Sequence, residues 1–221
     1  MKQKILLSWS SGKDSAWALQ QLLQNPNVEV VGLFSTINKD ADRVAMHGVR
    51  VELLEAQAAS IGIPLEIIEI PDPCSNNDYE TIMSDFIEAA KKKHIECIAF
   101  GDLYLEDIRR YREQQLAGTG IEAIFPIWGL DTDNLSRILL DNGIKAVISC
   151  VDSKQLSEDF VGRRYNTSFL QDLPETADPC GENGEFHSYV YDAPMFKHAI
   201  EITLGKTFKK DPFVYIDVLP K

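Results

Sequence analysis

Ile5-Leu6-Leu7-Ser8-Trp9-Ser10-Ser11-Gly12-Lys13-Asp14-Ser15 reads as a buried strand, a turn of small residues and the opening of a helix. The run Ile5 to Trp9 is too short for a signal or a bilayer span and suits a buried strand. From Ser15 to Leu23 the apolar residues return at helical spacing, and Val28 to Thr36 is a second strand rich in β-branched residues. Together these are a β-α-β unit with parallel strands and a right-handed crossover. The start of such a helix leaves backbone N–H groups unpaired and carries partial positive charge, while serine hydroxyls and the Lys13 ammonium add donors. Ser10, Ser11, Gly12, Lys13, Asp14 and Ser15 are therefore candidate ligands for a phosphate. A plain helix cap, with Asp14 and Ser15 as first-turn acceptors, has the same composition. The loop is not a Walker A loop: Leu7 stands five residues before Gly12, and Asp14 stands where Ser or Thr is needed.

Outward from this unit the alternation continues. Val49–Ile61 reads as a helix, Leu65–Ile70 as a strand, Tyr79–Lys93 as a helix and Ile95–Phe100 as a strand. A helix near Asn134–Asn142 precedes a strand at Ile144–Val151. The pattern predicts an α/β fold with a doubly wound parallel sheet over residues 1–151, with ligands beyond the carboxyl ends of its strands. Residues 152–221 carry short β runs at Tyr189–Tyr191, Ala199–Leu204 and Phe213–Val218, broken by Gly and Pro. They are expected to form a smaller C-terminal α+β appendage that folds back and completes the active site.

The chain has 221 residues, long enough for a real core, and a formal net charge of -12. That charge repels a polyanion, so nucleic acid is a disfavoured partner. Cys74, Cys97, Cys150 and Cys180 have no paired spacing, and reduced thiols in a cytoplasm are the expectation. No membrane segment is read. Asp-Pro-Cys occurs at residues 72–74 and again at 178–180, as two independent turns would give. Phe208, Phe213 and Tyr215 fit either a homodimer contact or a cover over the main sheet.

The stretch Ser10 to Ser15 resembles the Ser-Gly-Gly-Lys-Asp-Ser signature of the PP-loop (N-type) ATP pyrophosphatases, a HUP-like superfamily, and lies where that superfamily has it. One position departs: Ser11 replaces the second glycine, and a conformation that tolerates a side chain is expected there. Gly101-Asp102-Leu103 with Glu106-Asp107-Ile108-Arg109, and Cys180-Gly181-Glu182-Asn183-Gly184-Glu185-Phe186 with Tyr191 to Phe196, resemble the diphthine–ammonia ligase branch in its short form. The resemblance implies that ATP is cleaved to AMP and pyrophosphate, with magnesium, and that a carboxylate is adenylated and then amidated by ammonia. ATP and ammonium are the implied small-molecule partners. The acceptor carboxylate lies on a translation factor or on another molecule. With no glutaminase domain read, free ammonia or a separate partner supplies the nitrogen.

Site residues follow from this frame. Lys13, Asp14, Asp102, Glu182 and Glu185 are the candidate catalytic residues, with Asp14 and Asp102 as magnesium ligands. Asp102 follows the fourth strand at the ligand edge, although a strand-end Asp capping the next helix has the same spacing. Glu182 and Glu185, three apart in a Gly-rich loop, suit magnesium, ammonium or a base, or a solvated turn. Phe34 and Gly101, at the ends of the second and fourth strands, join the phosphate loop as cofactor-binding residues. Arg109, Arg110 and Arg112 form a basic knot suited to pyrophosphate or a carboxylate, and ion pairs along a helix with Glu106 or Glu113 account for them equally. Arg109, Arg112, Glu106 and His47 are the candidate substrate-binding residues. Cys180 beside the acidic loop is a weak nucleophile candidate. Two other functions are weighed: tRNA thiolation, which wants reactive cysteines and a basic face, and an ATP-binding regulatory module that does not turn ATP over.

Overall fold

In the computed structural model, which describes residues 2–39, 43, 44 and 47–221, strand β1 (Gln3–Ser8) runs through the middle of the larger sheet. It pairs in parallel with β2 (Val28–Asn38) on one edge and β5 (Cys97–Ala99) on the other. Side chains alternate across a strand. Ile5 and Leu7 therefore enter one core cluster and Leu6 the other, so β1 is sealed on both faces as a parallel strand must be. Beyond β2 lies parallel β4 (Leu65–Ile70), and beyond β5 parallel β6 (Glu122–Ile124). The parallel order is β4-β2-β1-β5-β6, and the two-residue β3 (Arg43–Val44) adds an antiparallel bridge at the end of β2. The order reverses direction between β1 and β5, the crevice where ligands settle in such sheets.

Helices α1 (Lys13–Gln24), α2 (Val51–Ile61), α3 (Asn76–Lys92), α4 (Glu106–Leu116) and α5 (Thr132–Asp141) connect these strands and the next. Leu19 from α1 and Leu53 from α2 share one core with Ile5 and Leu7. Phe86 from α3 and Leu116 from α4 pack with Leu6, Phe34 and Ile98 on the opposite face.

One expectation needs correction. The strand read at Ile144–Val151, observed as β7 (Lys145–Asp152), does not extend the parallel sheet. It is the central strand of a second, antiparallel sheet, pairing with β8 (Arg164–Tyr165), β9 (Phe186–Asp192) and β11 (Phe213–Pro220), while β10 (Ile202–Lys210) forms the edge. An unbroken apolar run buried on both faces looks the same in either kind of sheet. The parallel layer ends at β6, and the last part of the chain is five antiparallel strands with one short helix, α6 (Thr167–Asp172). This sheet does fold back. Val147, Ile148 and Tyr189 share the core of Ile5 and Leu7, and the Val190 N–H donates to the Ser11 carbonyl at 2.9 Å. Among the described residues, no helix is long and apolar enough to cross a membrane.

Candidate active site

The loop between β1 and α1 is held from behind by the second sheet. The Ser11 carbonyl accepts from Val190 N and, at 3.1 Å, from Gln57 Nε2, and the Lys13 N–H at the helix start donates to Ser188 Oγ at 3.2 Å. Ser11 itself has φ 70 and no solvent exposure. It sits in the left-handed region that favours glycine, which corrects the expectation of a conformation tolerant of side chains. Its hydroxyl is buried without a partner. Relief of the left-handed conformation is worth about 1–2 kcal/mol, offset by about 0.5–1 kcal/mol of extra freedom that glycine brings to the unfolded chain. Ser11→Gly is therefore expected to leave stability unchanged or raise it by up to ~1.5 kcal/mol, and Ser11→Val to lower it, as urea unfolding would show.

Two glycines allow close approach at this point. A Cβ on Gly12 would lie 3.1 Å from His47 Cε1 and 3.2 Å from the Ser188 carbonyl oxygen, and one on Gly101 would lie 3.1 Å from Ser15 N. The end of β5 is thus pressed onto the start of α1. Ser10 Oγ donates to Ser15 Oγ at 3.2 Å, and Ser15 Oγ donates to the Gly12 carbonyl at 3.0 Å, which closes the turn.

Lys13 is 2% exposed. Its Nζ lies 2.9 Å from Asp14 Oδ2, also donates to the Cys180 carbonyl, and sits 5.3 Å from the Phe186 ring centre. Burial works against its charge, but Asp14 and the other acidic groups around it outweigh burial and hold the ammonium above its ordinary pKa. Asp14 Oδ1 is buried without a hydrogen bond, and so is Asp102 Oδ2, which is in an ion pair with Arg112. Asp102 does not cap the following helix, whose N-cap is Leu105 without a side-chain bond. Burial pushes its carboxyl up against the opposing pull of Arg112, whose Nε lies 3.5 Å away without a hydrogen bond.

In the acidic loop the two glutamates differ. Glu185, 2% exposed, accepts from Asp178 N (2.8 Å), Asn183 N (3.0 Å) and Asn183 Nδ2 (3.1 Å). Both its oxygens accept hydrogen bonds from within the loop. Glu182 Oε1 accepts from Leu103 N at 2.9 Å, tying the loop to the end of β5. Burial, only partly countered by that bond, raises its pKa to about 7. A carboxyl that binds its proton more tightly when folded lends stability below its ordinary pKa and loses it as pH rises through the folded value. Wild type is therefore expected to lose stability relative to Glu182→Gln between about pH 5 and about pH 8, as denaturant unfolding across that range would record.

These groups meet in two adjoining cavities. The smaller, about 250 Å³, is lined by Ser10, Lys13, Asp14, Ser15, Asp102 and Glu182, and also by Gly101 and Arg112. The larger, about 850 Å³, shares Ser10, Asp102, Arg112 and Glu182 and extends over Phe34, Phe86 and Phe100. Its volume falls in the range of small-molecule sites, roughly 300–1,000 Å³. Phe34 packs on Phe86 with ring centres 4.7 Å apart. His47 borders both cavities, 4.6 Å from the ring of His187. Burial and the facing His187 push His47 well below its ordinary pKa, and burial and Lys13 bring His187 down to about 4, so both rings are neutral near pH 7.

Two expected substrate residues lie elsewhere. Arg109 pairs with Glu113 (2.8 Å) and lies over Trp128 (4.7 Å), outside both cavities; Glu106 is exposed in the first turn of α4. Of the basic knot, Arg112 alone turns inward. Cys180 is buried and its thiol is pushed up to about 12 by burial, the opposite of the lowered value that marks a reactive thiolate. The sequence reading missed His187, Ser188 and Gln57. Gln57 had a signal: it is a polar residue at a core-facing position of the stripe Leu53, Leu54, Ala58, Ile61.

The cradle also fits the magnesium ion that the PP-loop fold implies. Among the described residues no group of three or more His, Cys, Asp or Glu is placed to hold a metal alone. Magnesium in nucleotide sites is held by one or two carboxylates together with phosphate oxygens and water. Asp14 and Asp102 both line the phosphate loop's cavity, each with a buried oxygen that makes no hydrogen bond, and supply that number.

The diphthamide synthase N-terminal domain matches residues 1–122 and the diphthamide synthase C-terminal domain residues 131–218. Diphthine–ammonia ligase of Schizosaccharomyces pombe is 24% identical, over 90% of this chain and 36% of that protein. The Mus musculus protein of the same name is 22% identical over 87% of this chain and 80% of its own length, and that of Danio rerio 23% over 90% and 86%. The chain thus spans about a third of the fission-yeast relative and about four-fifths of the Mus musculus and Danio rerio ones. Among solved structures, U34-tRNA thiolase NcsA from Methanococcus maripaludis aligns at 16% identity and a TM-score of 0.38, over 63% of this chain and 57% of that one. That likeness is too slight to carry an argument. The two domain matches together cover nearly the whole chain, with the phosphate loop in the first and the acidic loop in the second: the chain belongs to the diphthamide synthase family, as a diphthine–ammonia ligase-like PP-loop protein.

Proposed function

We propose that this protein is an ATP-dependent ligase that forms an amide from a carboxylate and ammonia, by way of an acyl-adenylate. One observation carries the reading. At the β1/β5 switch point the phosphate loop, the carboxylates of Asp14 and Asp102, and Glu182 with a pKa of about 7 border one small cavity that opens into a larger one with an aromatic wall.

The triphosphate lies along the start of α1, where the helix end and Lys13 offset its charge. Asp14 and Asp102 would hold a magnesium ion, which adds positive charge against the phosphates. An acceptor carboxylate oxygen attacks the α-phosphorus, the bond to the β-phosphate oxygen breaks, and pyrophosphate leaves. Ammonia then attacks the acyl carbon, the bond to AMP breaks, and nitrogen sheds a proton. In this reading Glu182 receives that proton, because a base with a pKa near the working pH combines availability with driving force. Phe186 and Tyr165 over Lys13, with Cys180 behind it, keep water from this end.

Thiolation gains no support, since the thiols of Cys97, Cys150 and Cys180 are buried and raised to about 11, 12 and 12. The ligase reading is tested by isotope exchange. Labelled pyrophosphate should enter ATP only when a suitable carboxylic acid is present, without need for ammonium. Exchange that ignores the acid and requires ammonium would overturn the order of steps.

A further inference from the structure

The phosphate loop lines the cavity of about 250 Å³, and only the cavity of about 850 Å³ has room for a nucleoside. The α-phosphate links the two halves of ATP, so its place is where the cavities join. The polar side chains that line both are Ser8, Ser10, His47, Asp102, Arg112, Glu182 and His187. Most of them are engaged. Ser10 Oγ donates to Ser15 Oγ, Arg112 pairs with Asp102 at 3.5 Å, Glu182 accepts from Leu103 N, and His47 Nδ1 lies 3.4 Å from the Ser188 carbonyl oxygen. Ser8 is partly exposed and turns its hydroxyl to water. His187 is different: Nε2 is shut off from solvent without a partner. A buried polar atom left unpaired costs about 1–3 kcal/mol and calls for an explanation, which a ligand at the junction supplies.

The surroundings decide the kind of ligand. Besides burial, the Lys13 cation lowers His187, and it lowers His47 after burial and the facing His187. Fixed positive charge beside both rings favours an anion and repels ammonium, and a neutral imidazole meets an anion as an N–H donor. The ring is also held against the phosphate loop. Its neighbour Ser188 accepts from the Lys13 N–H at 3.2 Å, fastening β9 to the start of α1. His47 packs on it with ring centres 4.6 Å apart and presses on Gly12, where a Cβ would lie 3.1 Å from its Cε1. A donor fixed in this way needs no reorganisation when charge develops.

We propose that His187 is a ligand of the α-phosphate of ATP: a ring N–H donates to a non-bridging oxygen there, with His47 holding the ring in place. The bond persists as the acceptor carboxylate adds to phosphorus, and His187 itself neither gains nor gives a proton. The proposal rests on the ligase reading for the choice of the α-phosphate as the reacting group, whereas the binding is independent of the acceptor.

The test is calorimetric titration of the full chain, with magnesium, against AMP, adenosine and pyrophosphate. AMP and adenosine differ by the α-phosphate alone, so their comparison isolates it from the nucleoside and from the fold. His187→Leu should weaken AMP at least ~10-fold and change adenosine and pyrophosphate by less than ~3-fold each. Should that variant fail to fold, His187→Phe, which keeps a ring beside His47 and drops both nitrogens, is read in the same way. Equal losses for AMP and adenosine, a loss for pyrophosphate in place of AMP, or unchanged AMP binding would overturn the proposal while the ligase reading stands. Failure of wild type to bind any of the three would overturn both.

Discussion

Replacing Lys13 with methionine is expected to lower the rate of AMP formation by ~10²–10³-fold, the loss typical of removing one preorganised donor from a site of developing negative charge. Methionine fills nearly the same volume, so the packing beside Phe186 and Tyr165 is kept while the ammonium is lost. Asp14 is 26% exposed and can rehydrate when its partner goes, so the fold should survive. The variant is checked by the initial rate of AMP release beside a thermal unfolding control. A drop of less than ~10-fold in a folded variant would remove Lys13 from the reacting phosphates.

Gln57→Leu should be the most damaging single change outside the cavities. The Gln57 side chain is fully buried and makes three bonds: it donates to the carbonyls of Ser11 (3.1 Å) and Val190 (2.6 Å), and accepts from Trp9 Nε1 (2.8 Å). It joins the phosphate loop, the second sheet and the end of β1. Leucine would strand a buried indole N–H and weaken two buried carbonyls, at about 1–3 kcal/mol for each group left unpaired. Because Ser11 keeps its bond from Val190 N, the total is expected at about 3–5 kcal/mol, read as a lower urea midpoint with an unchanged slope. A loss below ~1 kcal/mol would mean that water or a repacked neighbour replaces the network.

The phosphate loop was legible because three signals converge within eleven residues: an apolar run, a turn of small residues and a return to helical spacing. Gly101 and Asp102 lie past the end of a parallel strand, where ligands are expected, but spacing alone left a helix cap equally open and the family resemblance singled them out. What the sequence hid was phase and partnership. Spacing along α4 puts Arg109, Arg110 and Arg112 on a helix but not which of them faces a cavity; the ion pairs with Glu113 and Asp107 decide that. Glu182 and Glu185 look equivalent in the chain, and only the backbone N–H groups around Glu185 show that it shapes the loop. His187 follows Phe186 in an alternating strand and carries no local mark of its place beside His47. β7 was misplaced because burial on both faces erases the alternation that separates the two kinds of sheet.

The most direct test of the central claim is the identity of the nucleotide product. Purified protein would be incubated with ATP, magnesium, ammonium and a panel of carboxylic acids, and the phosphorus species followed by ³¹P NMR. AMP and pyrophosphate, formed in step with an amide and lost in Lys13→Met, is the predicted result; ADP and orthophosphate would contradict it.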